Sequence, residues 1–316
     1  MRHTFGKKNV GFARKNQLKF FNKAGTSNFT FIIRKINTES GFFRVAIDYS
    51  DSNTITDEES YKWADVYGKV NTNWKITPEV QYPKIKCLAS NFGVRCFDHI
   101  DSIVFAIRNC LIINPVNKIK FLAKYLKQNN KLWQSQIPKS KSEKGYLFSL
   151  NTLWYSDEWN RLDENTNKFR ADFMETCLRL PKIQFEGGFV PSFLGNNNYT
   201  HLHLKKPFSH RAYCTKLMRS LAAFNTPAVW NCHGWKLSEF LCMGKAIIST
   251  PLSNDLPSPL VHGESVHFVK DKSEFEDAII LLNDNSAYRK KLENGARNYY
   301  ENFVSPQAVF KILGIV

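Results

Sequence analysis

At 316 residues, with 43% hydrophobic and 14% aromatic residues, the chain can bury sizeable cores and is too apolar for a disordered protein. It holds no apolar run long enough to cross a bilayer, and residues 1–28 lack the apolar stretch of a signal peptide, so a cytoplasmic location is expected. The seven cysteines stand apart with no C-x-x-C pair, which argues against a disulfide framework or a cysteine-rich zinc site.

The net charge of +16 is concentrated in two stretches. Residues 1–38 hold nine Lys or Arg and no acid, and residues 117–144 hold eight Lys and one Glu. Two basic stretches on a balanced body point to an anionic surface as partner. In the second, Ile119, Leu122, Ala123 and Leu126 share one helical face, with Lys118, Lys120, Lys124 and Lys127 around it. That pattern suits anionic lipid headgroups at a membrane surface, and equally a core-facing helix with a solvated lysine side. No zinc-finger, helix-turn-helix or RNP-like pattern accompanies the charge, so nucleic acid is not the expected partner.

In chain order, alternating apolar residues predict strands at 29–34, 43–48, 66–70 and 86–89, with helices at 56–64, 100–112 and 116–129. The polar, Pro-containing stretch 134–144 has no periodicity and divides the chain near residue 141. Beyond it come a strand at 146–150, a helix at 158–180, a strand at 182–185 closed by Gly187-Gly188, a helix at 210–224 and a strand at 228–230. A helix carrying Glu239, the strand 245–249 and the strand 265–269 follow. Strands alternating with helices predict a parallel sheet in an α/β fold.

Residues 233–250 carry the chemistry. A polar loop with His233 and Gly234 leads to Lys236; the helix with Glu239 stops at Gly244; an apolar strand follows. A cation, a carboxylate and a helix N-terminus together can receive a nucleotide sugar: N–H groups and the cation take the diphosphate, and the carboxylate takes ribose hydroxyls. The same residues also make an ordinary surface turn with a Glu–Lys pair.

This stretch resembles the donor-binding segment of GT-B glycosyltransferases. In their retaining "group 1" branch that segment reads Glu, seven residues, Glu, a small-residue helix ending in Gly, and an apolar strand. Glu239 and Gly244 keep the spacing of the second Glu and the Gly, whereas the first Glu falls on Asn231. The tail is similar to the closing segment of that family: a helix at 273–282, a helix at 285–297 ending Gly-Ala-Arg, and a last helix at 306–313.

The resemblance implies an α/β protein of two Rossmann-like domains facing across a cleft. Residues 1–141 would be the acceptor-binding domain, 142–300 the nucleotide-sugar donor domain, and 301–316 a helix crossing back. It implies a hexosyltransferase of bacterial surface-polysaccharide type, acting on a saccharide, lipid-linked acceptor. The nucleotide-diphosphate sugar would be a co-substrate, with no cofactor. The sequence has no Asp-x-Asp motif, so no metal is expected, and the two basic stretches would let the protein sit peripherally on the inner face of the cell membrane. Glu239 would hold ribose, with Lys236, Gly234, His233 and Arg161 at the diphosphate. His262 and Glu264, in the turn-rich loop 257–265, would touch the donor or cap turns. In the first half, Asp48 and Asp51 end a strand and lead into a loop, where a carboxylate can deprotonate an acceptor hydroxyl or simply bond its own backbone. His201 and His203 have no acidic or cysteine neighbour in sequence, so no metal is expected there. The competing reading is a basic module for nucleic acid or membrane with a degenerate nucleotide site, which Asn231 in place of the first Glu would suit.

Overall fold

The computed structural model describes residues 28–34, 42–95, 98–110, 123, 126–153, 160–190, 199–228 and 231–316. Most of the first basic stretch, and Lys118, Lys120 and Lys124 of the second, lie outside the described residues.

The first unit is a four-stranded sheet in the order β1-β2-β3-β4. Strands β1 (Asn28–Arg34) and β2 (Phe42–Asp48) are antiparallel, with Asn28 opposite Asp48. Strands β3 (Val66–Val70) and β4 (Ile85–Leu88) continue parallel to β2. Helix α1 (Glu58–Trp63) makes the β2–β3 crossing. Its start is fixed locally: Asp57 accepts from the Ser60 N–H, and Glu58 and Glu59 sit at the positive end of the helix dipole. Helix α2 (His99–Cys110) follows β4.

The second unit opens with β5 (Tyr146–Thr152), α3 (Asn160–Arg179) and β6 (Gln184–Val190), the two strands parallel. Helix α4 (His210–Arg219), β7 (Ala223–Asn225), α5 (Trp235–Met243), β8 (Ile247–Ser249) and β9 (His267–Phe268) follow, with the three strands parallel. Leu221 N–H donates to Tyr146 O at 2.6 Å, joining the β7 segment to β5. The pair β5-β6 and the three-stranded sheet β7-β8-β9 thus lie side by side, β5 next to β7. One face buries Phe173, Phe224 and Phe275; the first two stack at 4.1 Å and Phe275 meets both edge-on. The other face buries Phe148, Tyr213, Phe240 and Ile247.

Helices α6 (Phe275–Asp284) and α7 (Ser286–Tyr299) close the second unit, Asn285 capping α7 by accepting from Tyr288 N–H. A single π-helical turn, Tyr300–Val304, leads to α8 (Pro306–Ile312). Here Phe310, Leu313 and Ile315 pack on Val45, Val66, Val70 and Leu88 of the first sheet.

Two predicted features come out differently. The strand expected at 228–230 is β7 at Ala223–Asn225, because α4 ends at Arg219 and not at residue 224. Ser220 turns extended there, its hydroxyl donating to Ala222 O and accepting from Phe148 N–H. The apolar run after it, which reads as more helix, enters the sheet instead. Strand β6 continues through Gly187-Gly188 to Val190; a Cβ on Gly187 would collide with Ser149 O of β5. The stretch near residue 141 is bound to the second unit: Ser140 N–H donates to Met243 O, Lys141 N–H to Met218 O and Glu143 N–H to Arg219 O. The buried Lys245 amine also donates to Ser140 and Ser142 Oγ.

Candidate active site

In an open parallel sheet, ligands bind beyond the carboxyl ends of the strands, where neighbouring connections diverge to opposite faces. In the second unit that divergence falls between β5 and β7. Asn151 stands near the end of β5, Asn225 ends β7, and Ser249-Thr250 end β8. Asn225 Nδ2 donates to Ser249 Oγ at 2.9 Å, while the buried Thr250 hydroxyl has no hydrogen-bond partner.

Helix α5 delivers its N-terminus to this edge. Gly234 is the N-cap and supplies no side chain to the first-turn N–H groups. A Cβ built there would meet nothing within 4 Å, so the backbone borders open space. These are the conditions for an anion at a helix start. Lys236, half-buried, turns its amine to Leu150 O and to Asn151 Oδ1 at 3.2 Å. Burial, reinforced by the like charge of Arg170 and opposed by Glu239, pushes its pKa down to about 7. Arg170, buried on α3, donates to Thr152 O at 3.0 Å, so two cations converge on the end of β5. Arg170 follows from the helical register of α3, but only the fold shows which turn reaches the strand end. Arg161 lies in the first turn of α3, and its side chain is outside the described residues.

The carboxyl edge of the first sheet meets this edge directly. His233 N–H donates to Asn71 Oδ1 at 2.6 Å, Asp255 N–H to Thr72 O at 2.7 Å, and Trp74 N–H to Asp255 Oδ2 at 2.7 Å. Ser90, just past β4, shares a hydrogen bond with Ser238 at 3.0 Å and donates to Gly234 O at 3.2 Å. The loops after β3, β4, β7 and β8 therefore gather at one place. Asn71 and Asn231 both adopt left-handed backbone there, a conformation asparagine tolerates. His233 is buried, its Nε2 3.2 Å from Asp255 O, and burial lowers its pKa.

The other predicted site residues stand apart from this meeting point. Asp48 is engaged within the first sheet. It is fully buried, paired with Lys69 at 3.1 Å, and accepts from Tyr67 OH, Thr56 Oγ1 and Ser50 N–H. Those donors hold it as a structural carboxylate, whereas Asp51 is exposed in the loop beyond. Glu239 does not accompany Lys236 to the crevice. It is 0% exposed and turns back into the unit, where Tyr213 OH donates to its Oε2 at 2.7 Å. His262 and Glu264 precede β9 and so lie at the amino edge of the sheet, opposite the crevice. There His262 Nδ1 accepts from Phe268 N–H, and the Glu264 backbone packs on Gly295 of α7. Gly244 keeps a conformational role: with φ of 63° it caps α5, and its N–H donates to Leu241 O and Phe240 O. Away from the crevice, His201 Nε2 lies 2.9 Å from Glu175 Oε1, a carboxylate that sequence distance had hidden.

No family model matches the chain, and no curated protein does. Among solved structures, one of accessory secretory proteins 1, 2 and 3 of Streptococcus pneumoniae is similar at a TM-score of 0.46 and 9% identity, covering 81% of this chain and 44% of that one. HepE of Anabaena in complex with UDP-glucose is similar at 0.44 and 10% identity, covering 81% and 64%. A glycosyltransferase from Rickettsia africae is similar at 0.44 and 14% identity, covering 83% and 63%. The chain thus spans less than two thirds of each of these relatives' length.

Proposed function

We propose that the chain is a glycosyltransferase of GT-B type, moving a hexosyl group from a nucleotide-diphosphate sugar to a saccharide acceptor. One observation carries this reading: the carboxyl edges of two α/β sheets meet around an uncapped helix N-terminus that carries a cation. The donor diphosphate would lie against the first N–H groups of α5, with Lys236 as its counter-charge. As the sugar leaves, negative charge grows on the diphosphate, and preorganised N–H dipoles and an ammonium stabilise that change without a metal at the phosphates. Asn151 and Asn225 offer amide groups to the donor. Asp51, exposed beyond β2 in the acceptor half, would take the acceptor proton, since Asp48 is committed to Lys69. The two basic stretches suit attachment to the inner face of a membrane and a lipid-linked acceptor; among the described residues no helix is long and apolar enough to cross one.

The test is a panel of nucleoside diphosphates in thermal unfolding, followed by donor hydrolysis with the best one. A ligand bound only to the native state raises the Tm by mass action. One base should stand out, and Lys236→Met should abolish both its Tm shift and donor turnover. No shift with any nucleoside diphosphate at millimolar concentration would reject the proposal. Binding to vesicles with anionic lipid, lost when Lys118, Lys120, Lys124 and Lys127 are replaced by Gln, tests the attachment.

A further inference from the structure

Glu239, withdrawn from the crevice, poses a question of its own. Its Oε1 is buried with no hydrogen-bond partner, and among the described residues only a protonated His210 would pair it with an opposite charge. Two other groups face that oxygen. His210 and Cys214 lie one turn apart on α4, which Ser209 starts by capping Ala212 N–H. His210 Nε2 is 3.6 Å from Glu239 Oε1 and 3.7 Å from Cys214 Sγ, and the three atoms lie within 4.8 Å of one another.

We propose that His210, Cys214 and Glu239 form a binding site for a divalent transition metal, with zinc the best match. Zinc bonds of about 2.0–2.3 Å in a tetrahedron set ligand atoms roughly 3.3–3.7 Å apart, the spacing seen at His210. Nitrogen, sulfur and carboxylate oxygen are the donor set zinc accepts, and calcium or magnesium would not choose a thiol. Tyr213, donating to Oε2, leaves Oε1 turned toward the other two ligands and orients the carboxylate, whereas His210 Nδ1 has no hydrogen-bond partner. The charges also balance. Zinc displaces the thiol proton to solvent, and thiolate, carboxylate, neutral imidazole and Zn²⁺ sum to zero, so the buried centre carries no net charge. A groove lined by Gln136, Arg211 and Thr215 borders Cys214 and gives water a path to the fourth position. The ligands come from two helices that pack together, so the metal would pin α4 to α5. No transfer step uses it, and it does not depend on the transferase reading.

The experiment is a cobalt titration of the whole chain after chelator treatment. Co²⁺ in a site with a thiolate gives a sulfur-to-metal charge-transfer band and tetrahedral ligand-field bands. One equivalent should saturate both, and zinc should erase them. Cys214→Ser should remove the charge-transfer band, while Cys242→Ser, on the next helix and outside the cluster, should keep it. Zinc should raise the Tm of the wild-type chain by several degrees and leave that of His210→Ala unmoved; His210 is partly exposed, and far-UV circular dichroism checks that the variant folds. No charge-transfer band at excess cobalt, or a band that survives Cys214→Ser, would overturn the proposal.

Discussion

Lys236 loses most of its positive charge just above neutral pH because burial pushes its pKa down to about 7. An anion bound at the α5 N-terminus favours the charged amine and raises that pKa, so binding must take up a proton between pH 7 and the ordinary lysine value of about 10.5. Nucleotide affinity should be flat below pH 7 and fall above it, by up to about tenfold per pH unit, because an increasing share of the binding free energy goes into protonating the amine. Calorimetry at pH 8 in two buffers of different ionisation enthalpy should report close to one proton taken up. Affinity independent of pH, in the wild type as in Lys236→Met, would separate Lys236 from the ligand. Glu239→Gln gives the complementary result: donor affinity stays within about twofold, since this side chain points to Tyr213, while cobalt binding is lost. The spacing of Lys236 and Glu239 was legible in the sequence. The direction of each side chain was not, because i, i+3 neighbours diverge as soon as one finds Asn151 and the other Tyr213. Asp48 is committed to a partner for a related reason. Its partner Lys69 is 21 residues away, and only the parallel register of β2 and β3 brings them together. Breaking that pair with Lys69→Met should cost about 3–5 kcal/mol in urea unfolding, because the buried carboxylate keeps its hydrogen bonds but loses its opposite charge. Asp51→Asn should leave stability within about 0.5 kcal/mol and lower transfer.

At the scale of elements, the helices with their own punctuation were the readable ones. The Asp57, Asn285 and Ser305 caps and the Gly244 stop are local chemistry, and the predicted helices there lie where the side chains and backbone of those residues put them. Strand β7 was displaced by five residues because nothing local separates the end of α4 from the start of a buried strand. Ser220 makes that distinction only by bonding Phe148 across the sheet. The glycines divide in the same way. Gly295, in the middle of α7, has no local reason to be glycine; a Cβ there would run into the Glu264 carbonyl of the preceding loop. Backbone cannot yield as a flexible side chain can, so Gly295→Ala should destabilise by about 1–3 kcal/mol even though alanine is the better helix former. Gly234→Ala provides the contrast. Its φ of −62° is open to any residue and the added methyl meets nothing, so stability should stay put. If the diphosphate approaches that backbone, nucleotide affinity should drop all the same. Chemical unfolding and nucleotide titration on the two variants separate a packing glycine from a ligand-approach glycine.

Across the whole molecule, the last helix ties the two sheets into one cooperative system. Helix α8 follows directly on α7, yet its apolar side is spent on the first sheet, where Gly68 lets Leu313 lie close against the strand. The amphipathic pattern of 306–313 is visible in the sequence, but which sheet it covers is not, since both sheets offer faces rich in Val, Ile and Leu. Phe310 is buried among Val45, Val66, Val70 and Leu88, and truncating a phenylalanine in such a place costs about 3–5 kcal/mol. Phe310→Ala should therefore do more than lower the Tm. Without that anchor the first sheet loses the cover of its Val45 face, and what still holds it to the second unit is the edge contact: the bonds of Asn71, Thr72, Trp74 and Ser90, with Ala89 and Phe92 packed on the second unit's core. Calorimetry on the wild type should show a single transition in which both units melt together. The variant should show two, the first reported by Trp63 and Trp74 fluorescence, and a nucleoside diphosphate should shift the second more than the first. One undivided transition in Phe310→Ala, merely at lower temperature, would mean that the edge contacts alone suffice to couple the two sheets.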